Sequence, residues 1–354
     1  MPLPGIGVAP AAGNLYAELT AATRRAFVPR LFVQIYFGSP SLFYMMGNAQ
    51  RAAGGLNQIT IPMQGNSMVQ GQFTNYGGGF NSPVITPGIQ NGQWNLAYWV
   101  VPVPLPFGEQ VLQASDREIS ILKARMNDVY AVTRQNMARL QFTDNSSSPT
   151  YPNSFRDAFD NGTNFPTYGG ISRNASGNSA FKGQYVNVGT LQGANTFGTN
   201  TTVSLNGFVR STMAKYLAQV TDNAGGEAPT FVVMSPGDYA TFNGDFIGNE
   251  QAFINPGGSY TMDTSMRSSF PNLNVSGIPI FADHFCPAGN VFAVNVKYTA
   301  TYLSEDAAFD FSGFYSLVPL GQMAQQGVVV VGYNTVTAKS SSGSWGYGLG
   351  NPAF

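Results

Sequence analysis

A chain of 354 residues has room for two or three compact domains, yet only 10% of its side chains are charged and its net charge is −1. An ordinary soluble domain carries about 25% charged residues. The near-neutral balance excludes a bulk electrostatic pull towards nucleic acid or anionic membrane, and 43% hydrophobic residues exclude general disorder. The single cysteine, Cys286, excludes an intramolecular disulfide framework. A surface so poor in charge tends to associate, which points to an assembly in which copies cover one another.

The first segment, MPLPGIGVAPAAG, has neither a cationic start nor a continuous apolar core, so it does not read as a secretory signal. Residues 1–30 read as an arm with a short helix over Leu15–Phe27 and a basic end at Arg24, Arg25 and Arg30. That patch is either simply solvated or placed against a neighbouring subunit or a packaged polyanion. No run of about 18 apolar residues occurs, so a soluble, non-spanning chain is expected; the oiliest stretch, LAYWVVPVPLPF, is interrupted by prolines.

From Leu31 to Gly108 the only charged residue is Arg51. Within that span LNQITIPM (56–63) and QWNLAYWVV (93–101) alternate with period two, and a Gly/Asn/Gln-rich stretch separates them. The pattern predicts an extended hairpin, with a flexible low-complexity loop as the alternative. An isolated, uncharged hairpin is an aggregation hazard unless something covers it, and another subunit would do so. Its expected contact residues are Gln64, Asn66, Phe73, Tyr76 and Phe80, chosen by position.

Pro102, Pro104 and Pro106 stiffen the passage into a long amphipathic helix predicted over 115–142. Ser115 and Glu118 form a capping-box pattern. Ile119, Leu122, Met126, Val129, Tyr130, Thr133, Met137 and Leu140 fall on one stripe. Acids stand at the start and Arg134 and Arg139 near the end, which complements the helix dipole. A turn-rich region follows. A second helix is predicted over Leu205–Val220 and a buried strand over Thr230–Met234, followed by a helix start at Ser235, Pro236 and Asp238. Further strands are expected at Leu273–Phe281, Asn290–Tyr298, Phe309–Leu317 and Val328–Val336, with a Gly/Ser-rich tail anchored by aromatics. Helices and strands mix without a βαβ rhythm, so the fold class is α+β.

Chemistry is sparse. The one histidine, His284, stands beside Asp283 and Cys286, but a metal site needs three or four convergent ligands and no second half appears. A nucleophile elbow, a phosphate loop and a dinucleotide fingerprint are all missing from the sequence. No catalytic residue, metal or cofactor is expected, and the chain does not read as an enzyme.

Four passages carry a resemblance. They are AYWVVPVPLPFGEQ running on through the long helix; PTYGGISRNAS, a GGI-R loop; PTFVVMSPGDYATF, a strand-to-helix step; and SGIPIFADHFCPAGNVFAVNVKYTATYL, with an N-x-KY passage, continuing to the last strands. In this order, over most of residues 51–337, the chain resembles the major capsid proteins of tailed double-stranded DNA bacteriophages, of the Hong Kong 97 type. The resemblance implies an N-terminal arm (1–50) and an extended E-loop (51–103). It implies a peripheral domain (104–200 and 295–325) around the spine helix 115–142, and an axial domain with the C-terminal tail (201–294 and 326–354). It implies self-assembly as pentamers and hexamers into an icosahedral shell, located in the virion and assembled in the bacterial host cytoplasm. Implied partners are a portal at one vertex, separate scaffolding and decoration proteins, and nonspecifically held DNA facing Arg24, Arg25 and Arg30; no membrane is implied. Some relatives lock the shell by isopeptide bonds from an E-loop lysine. No lysine occurs between Leu31 and Leu122, so a non-covalent shell is expected. Residues 1–50 are too short and too poorly charged for a fused scaffold. Alternatives are an encapsulin-like nanocompartment shell and a glycan-binding or glycan-cleaving tail protein.

Overall fold

A computed structural model describes residues 38–52, 57–65, 88–106, 121–143, 150–188, 210–242, 272–317, 322 and 324–348. Helix α1 (Pro40–Gly47) starts where Ser39 accepts from the Leu42 N–H and Pro40 takes the first turn, a position that has no hydrogen bond to lose. Short β1 (Gln50–Ala52) leads to the hairpin strands β2 (Gln58–Gln64) and β3 (Ile89–Asn95), and β4 (Ala97–Pro106) follows at once. Helix α2 (Ile121–Leu140) buries Val129, Thr133, Met137 and Leu140 and half-buries Met126 and Tyr130, six of the eight stripe positions read from the sequence; the side chain of Leu122 lies outside the described ones. The capping pattern at Ser115 and Glu118, with Ile119, lies outside the described residues.

Helix α3 (Phe155–Phe159) is short, and a reciprocal capping box between Ser154 and Asp157 defines its start. Strands β5 (Thr167–Tyr168) and β6 (Ile171–Ser172) form a tight hairpin. Its two turn residues, Gly169 and Gly170, have φ of 58° and 76°, left-handed values that glycine adopts without strain. Then come β7 (Gln184–Asn187), α4 (Arg210–Asn223) and β8 (Phe231–Met234), followed by a helical turn over 236–242 that Ser235 caps through the Asp238 N–H. The remaining strands are β9 (Asn272–Val275), β10 (Ile278–Ala282), β11 (Asn290–Val294), β12 (Thr299–Phe311), β13 (Tyr315–Ser316), β14 (Ala324–Thr337) and β15 (Ser344–Tyr347).

The chain divides into two compact units, one from 98–136 and 307–331 and the other from 38–97, 137–306 and 332 onwards. The larger unit is organised by a six-stranded mixed sheet in the order β7-β15-β11-β8-β10-β9. Successive residues of its central strands feed two separate cores. Phe231, Val233, Phe281 and Phe292 join one cluster with Phe155, Phe159, Met45 and Trp94. Val232, Met234, Ile280 and Val291 join the other with Met213, Tyr216 and Val220 of α4. Coverage on both faces explains why β8 reads as an unbroken apolar run. The smaller unit is built from parts of β4, α2, β12 and β14 with β13, around Val103, Val129 and Val329.

Four sequence expectations change here. The single strand predicted over Leu273–Phe281 is two, β9 and β10, because Ser276 and Gly277 both take left-handed φ (54° and 82°) and reverse the chain. The strand predicted to reach Tyr298 stops at Val294, where the Asn295 side chain accepts from the Lys297 N–H and closes a turn. The stretch predicted as a strand over Phe309–Leu317 is the end of the longer β12, then the short β13. The tail is no mere anchor: β15 is an internal strand, antiparallel to β11 and parallel to β7.

Candidate functional site

The hairpin predicted from alternation is present, with β2 and β3 antiparallel from Gln58↔Asn95 to Gln64↔Ile89. One pleat turns Ile59 and Trp94 into the core of the larger unit, with Ile61 and Met63 packed against it. The other presents Gln58, Thr60, Gln64, Asn91, Gln93 and Asn95, uncharged and exposed, together with Pro62 and the apolar Ile89. Its root is held on the GGI-R loop. The Gln93 N–H donates to the Gly169 carbonyl (2.8 Å), and Trp94 meets Tyr168 edge-on with ring centres 5.4 Å apart. A Cβ on Gly169 would lie 2.5 Å from the Trp94 ring, so only glycine admits the indole. Gln90 donates to Asn178 at 2.9 Å, and Asn334 donates to the Asn95 carbonyl at 2.6 Å.

Behind this root, Arg173 is completely buried. Its guanidinium donates to the carbonyls of Asp157 (2.8 Å), Ala158 (2.7 Å), Phe165 (3.3 Å) and Phe181 (3.4 Å) and to the Ser340 hydroxyl (3.4 Å), with Tyr168 stacked 4.7 Å away. The carbonyls of residues 157 and 158 end a helix, where partial negative charge welcomes a cation. Burial pulls the guanidinium pKa below its ordinary value, with Tyr168, Asp160 and Asp157 acting against that pull. The group remains charged. It ties α3, the β5–β6 hairpin and the segment before β15 together, and a cleft of about 550 Å³ opens beside it between Met63, Gln64, Phe181, Tyr298 and Lys339.

The side chains around His284 are engaged in different places. Asp283 is buried, and its carboxylate accepts from the hydroxyls of Ser39 (2.5 Å) and Ser41 (2.8 Å) and from the Phe285 N–H (3.0 Å), fastening the start of α1 to the end of β10. His284 is exposed, and Cys286 is buried, with its thiol pKa raised by burial and then by Asp283 and Asp238. Among the described residues no group of three or more His, Cys, Asp or Glu could hold a metal. Nor is any described helix long and apolar enough to cross a membrane. The N-x-KY passage is a turn rather than a site: Tyr298 and Lys297 both donate to Glu227 Oε1, at 2.8 and 2.9 Å.

Of the contact residues expected from the sequence, Gln64 lies exposed at the end of β2. Asn66, Phe73, Tyr76 and Phe80, and the basic candidates Arg24, Arg25 and Arg30, lie outside the described residues. Sequence reasoning missed the exposed apolar side chains Phe43, Tyr98 and Val100. For Tyr98 and Val100 a signal existed, since they alternate with Trp99 and Val101.

No family model and no curated protein matches the chain. Solved structures do. The capsid of cyanophage A-1(L) aligns with 94% of this chain and 99% of its own at TM-score 0.65 and 15% identity. The SrpI encapsulin of Synechococcus elongatus PCC 7942 aligns at TM-score 0.55 and 8% identity, covering 96% of both chains. The capsid of Myoviridae phage XM1 aligns at TM-score 0.51 and 12% identity, over 98% of this chain and all of that one. The chain therefore has the α+β fold of tailed-phage capsid proteins.

Proposed function

We propose that the chain is the major capsid protein of a tailed double-stranded DNA phage, assembling as pentamers and hexamers into an icosahedral shell. The observation that carries this reading is the likeness to the cyanophage A-1(L) capsid over 94% of the chain. The uncharged hairpin supports it: its outer pleat, with Gln64 beside the exposed Ile89, carries no charge that burial against a neighbour would have to desolvate. In this reading residues 51–103, β2 and β3 among them, are the E-loop, with Gln64, Asn66, Phe73, Tyr76 and Phe80 as contacts. Helix α2 is the spine of the peripheral domain, and the six-stranded sheet is the core of the axial domain. Residues 1–50 form the arm, with Arg24, Arg25 and Arg30 facing packaged DNA without sequence preference. A portal occupies one vertex, scaffolding and decoration proteins are separate chains, and assembly takes place in the host cytoplasm.

Light scattering on the purified chain across a concentration series, with negative-stain microscopy of the heaviest fraction, tests this directly. Pentamers, hexamers or closed particles are expected. A monomer that persists at high concentration would overturn the proposal. The encapsulin likeness supports a second reading, a nanocompartment shell. Purified particles containing DNA favour the phage shell, and particles containing a single protein cargo favour the compartment.

A further inference from the structure

We infer that the edge of β4 turned away from β14 is closed to strand addition by its own prolines, a guard that keeps unassembled copies of this chain from joining edge to edge. Among the described residues β14 is the strand that pairs with β4. Along any strand, the N–H and C=O of alternate residues point to opposite edges. Pro102, Pro104 and Pro106 therefore share one edge, and none of them has an N–H to donate. The ladder to β14 needs donors, so Val101, Val103 and Leu105 turn theirs towards it and the prolines face away.

From Pro102 to Pro106 the outer edge offers acceptors without donors, whereas Tyr98 and Val100, earlier on the same edge, keep their N–H groups. Arg125 confirms its character: its guanidinium, a donor-only group, takes the Pro104 carbonyl at 2.8 Å. A strand offers donors and acceptors in alternation and cannot satisfy such an edge. The hairpin repeats the device in milder form. Its ladder runs through odd residues of β2, as the bonds Leu96 N–H to Asn57 O and Gly65 N–H to Gly88 O show, so Pro62 also sits on an outer edge.

The guard answers a real hazard. Tyr98 and Val100 are 49% and 53% exposed on the outer pleat of β4, and residues 52–108 carry no charge. A flat apolar edge strand is the usual template for aggregation, and natural proteins most often blunt it with lysine or another charge. Proline is one of the remedies that need no charge. The inference concerns the isolated chain and stands whether or not the shell reading is correct.

The test compares full-length chains carrying P102T, P104T and P106T together with chains carrying lysine at the same three positions. Threonine restores the N–H and favours strands; lysine restores the N–H but adds charge. Circular dichroism first establishes that each chain keeps the wild-type spectrum. The threonine chain should then bind thioflavin T and sediment at a rate on the order of tenfold above wild type, while the lysine chain stays near wild type. A threonine chain with native spectrum and wild-type association would overturn the inference. Equal aggregation of both chains, with loss of the native spectrum, would overturn it too, because the prolines would then serve folding alone.

Discussion

At the scale of single residues, the interior is held by polar groups that water never reaches. Arg173 is the clearest case, with five acceptors and no direct carboxylate partner. Arg173→Met should destabilise the folded chain by roughly 3–5 kcal/mol in chemical denaturation, because it leaves buried carbonyls without donors. Arg173→Lys should recover little of that, since one ammonium cannot span a planar fork of acceptors. Cys286 offers a pH readout. Its thiol pKa is raised in the fold, so the folded state holds the proton after the unfolded state has lost it. The stability this contributes is complete below the unfolded thiol's pKa of about 8.5 and falls as pH rises from there towards the folded value. Iodoacetamide labelling at pH 8 should accordingly be slower than in denaturant by about a hundredfold. Comparable rates would show the thiol to be accessible.

Elements are joined by close approaches that tolerate no added atom. The hairpin root depends on Trp94 lying over Gly169, so Gly169→Ala brings both a clash and a strained left-handed φ. Trp94→Ala removes a buried ring from the main cluster and should lower stability by about 3–5 kcal/mol. If the hairpin is the assembly strap, Gly169→Ala should also raise the concentration needed for particles to form, as read by light scattering, while the α4 face of the sheet stays folded. Assembly at the wild-type threshold would separate the hairpin's root from its assembly role. β12 holds a strained point of its own, Phe309 at φ 58°, a value unusual for a bulky side chain.

For the whole molecule, the proposed shell accounts for the low charge, since surface covered by other copies needs little of it. Many modest contacts repeated in closed symmetry give collective stability without strong bonds at any one of them. With no lysine between Leu31 and Leu122, boiled and reduced particles should run as a single band near the chain mass of 37.8 kDa. A ladder of higher multiples would reveal covalent links. Arg173, Asp283 and Trp94 each join segments far apart in the chain, so the larger unit is expected to unfold as one cooperative step.

Local chemistry was legible in the sequence wherever neighbours in the chain decide the outcome. The apolar stripe of α2, the alternation of β2 and β3, the cap at Ser235 and the buried run of β8 all follow from short-range pattern. The order of these parts also pointed to a capsid fold. Only the tertiary structure decided what long-range pairing controls. Residues 344–347 read as a glycine-rich tail, yet they form an internal strand because β7 and β11 supply ladders on both sides. Arg173 looked like part of a loop motif, but it is buried because α3 and the segment near Ser340 converge on it. Asp283 stands beside His284 and Cys286 in the sequence, yet the serines at the start of α1, some 240 positions earlier, take its carboxylate. Backbone pattern is written locally, whereas a buried charge finds its partners only when distant segments fold together.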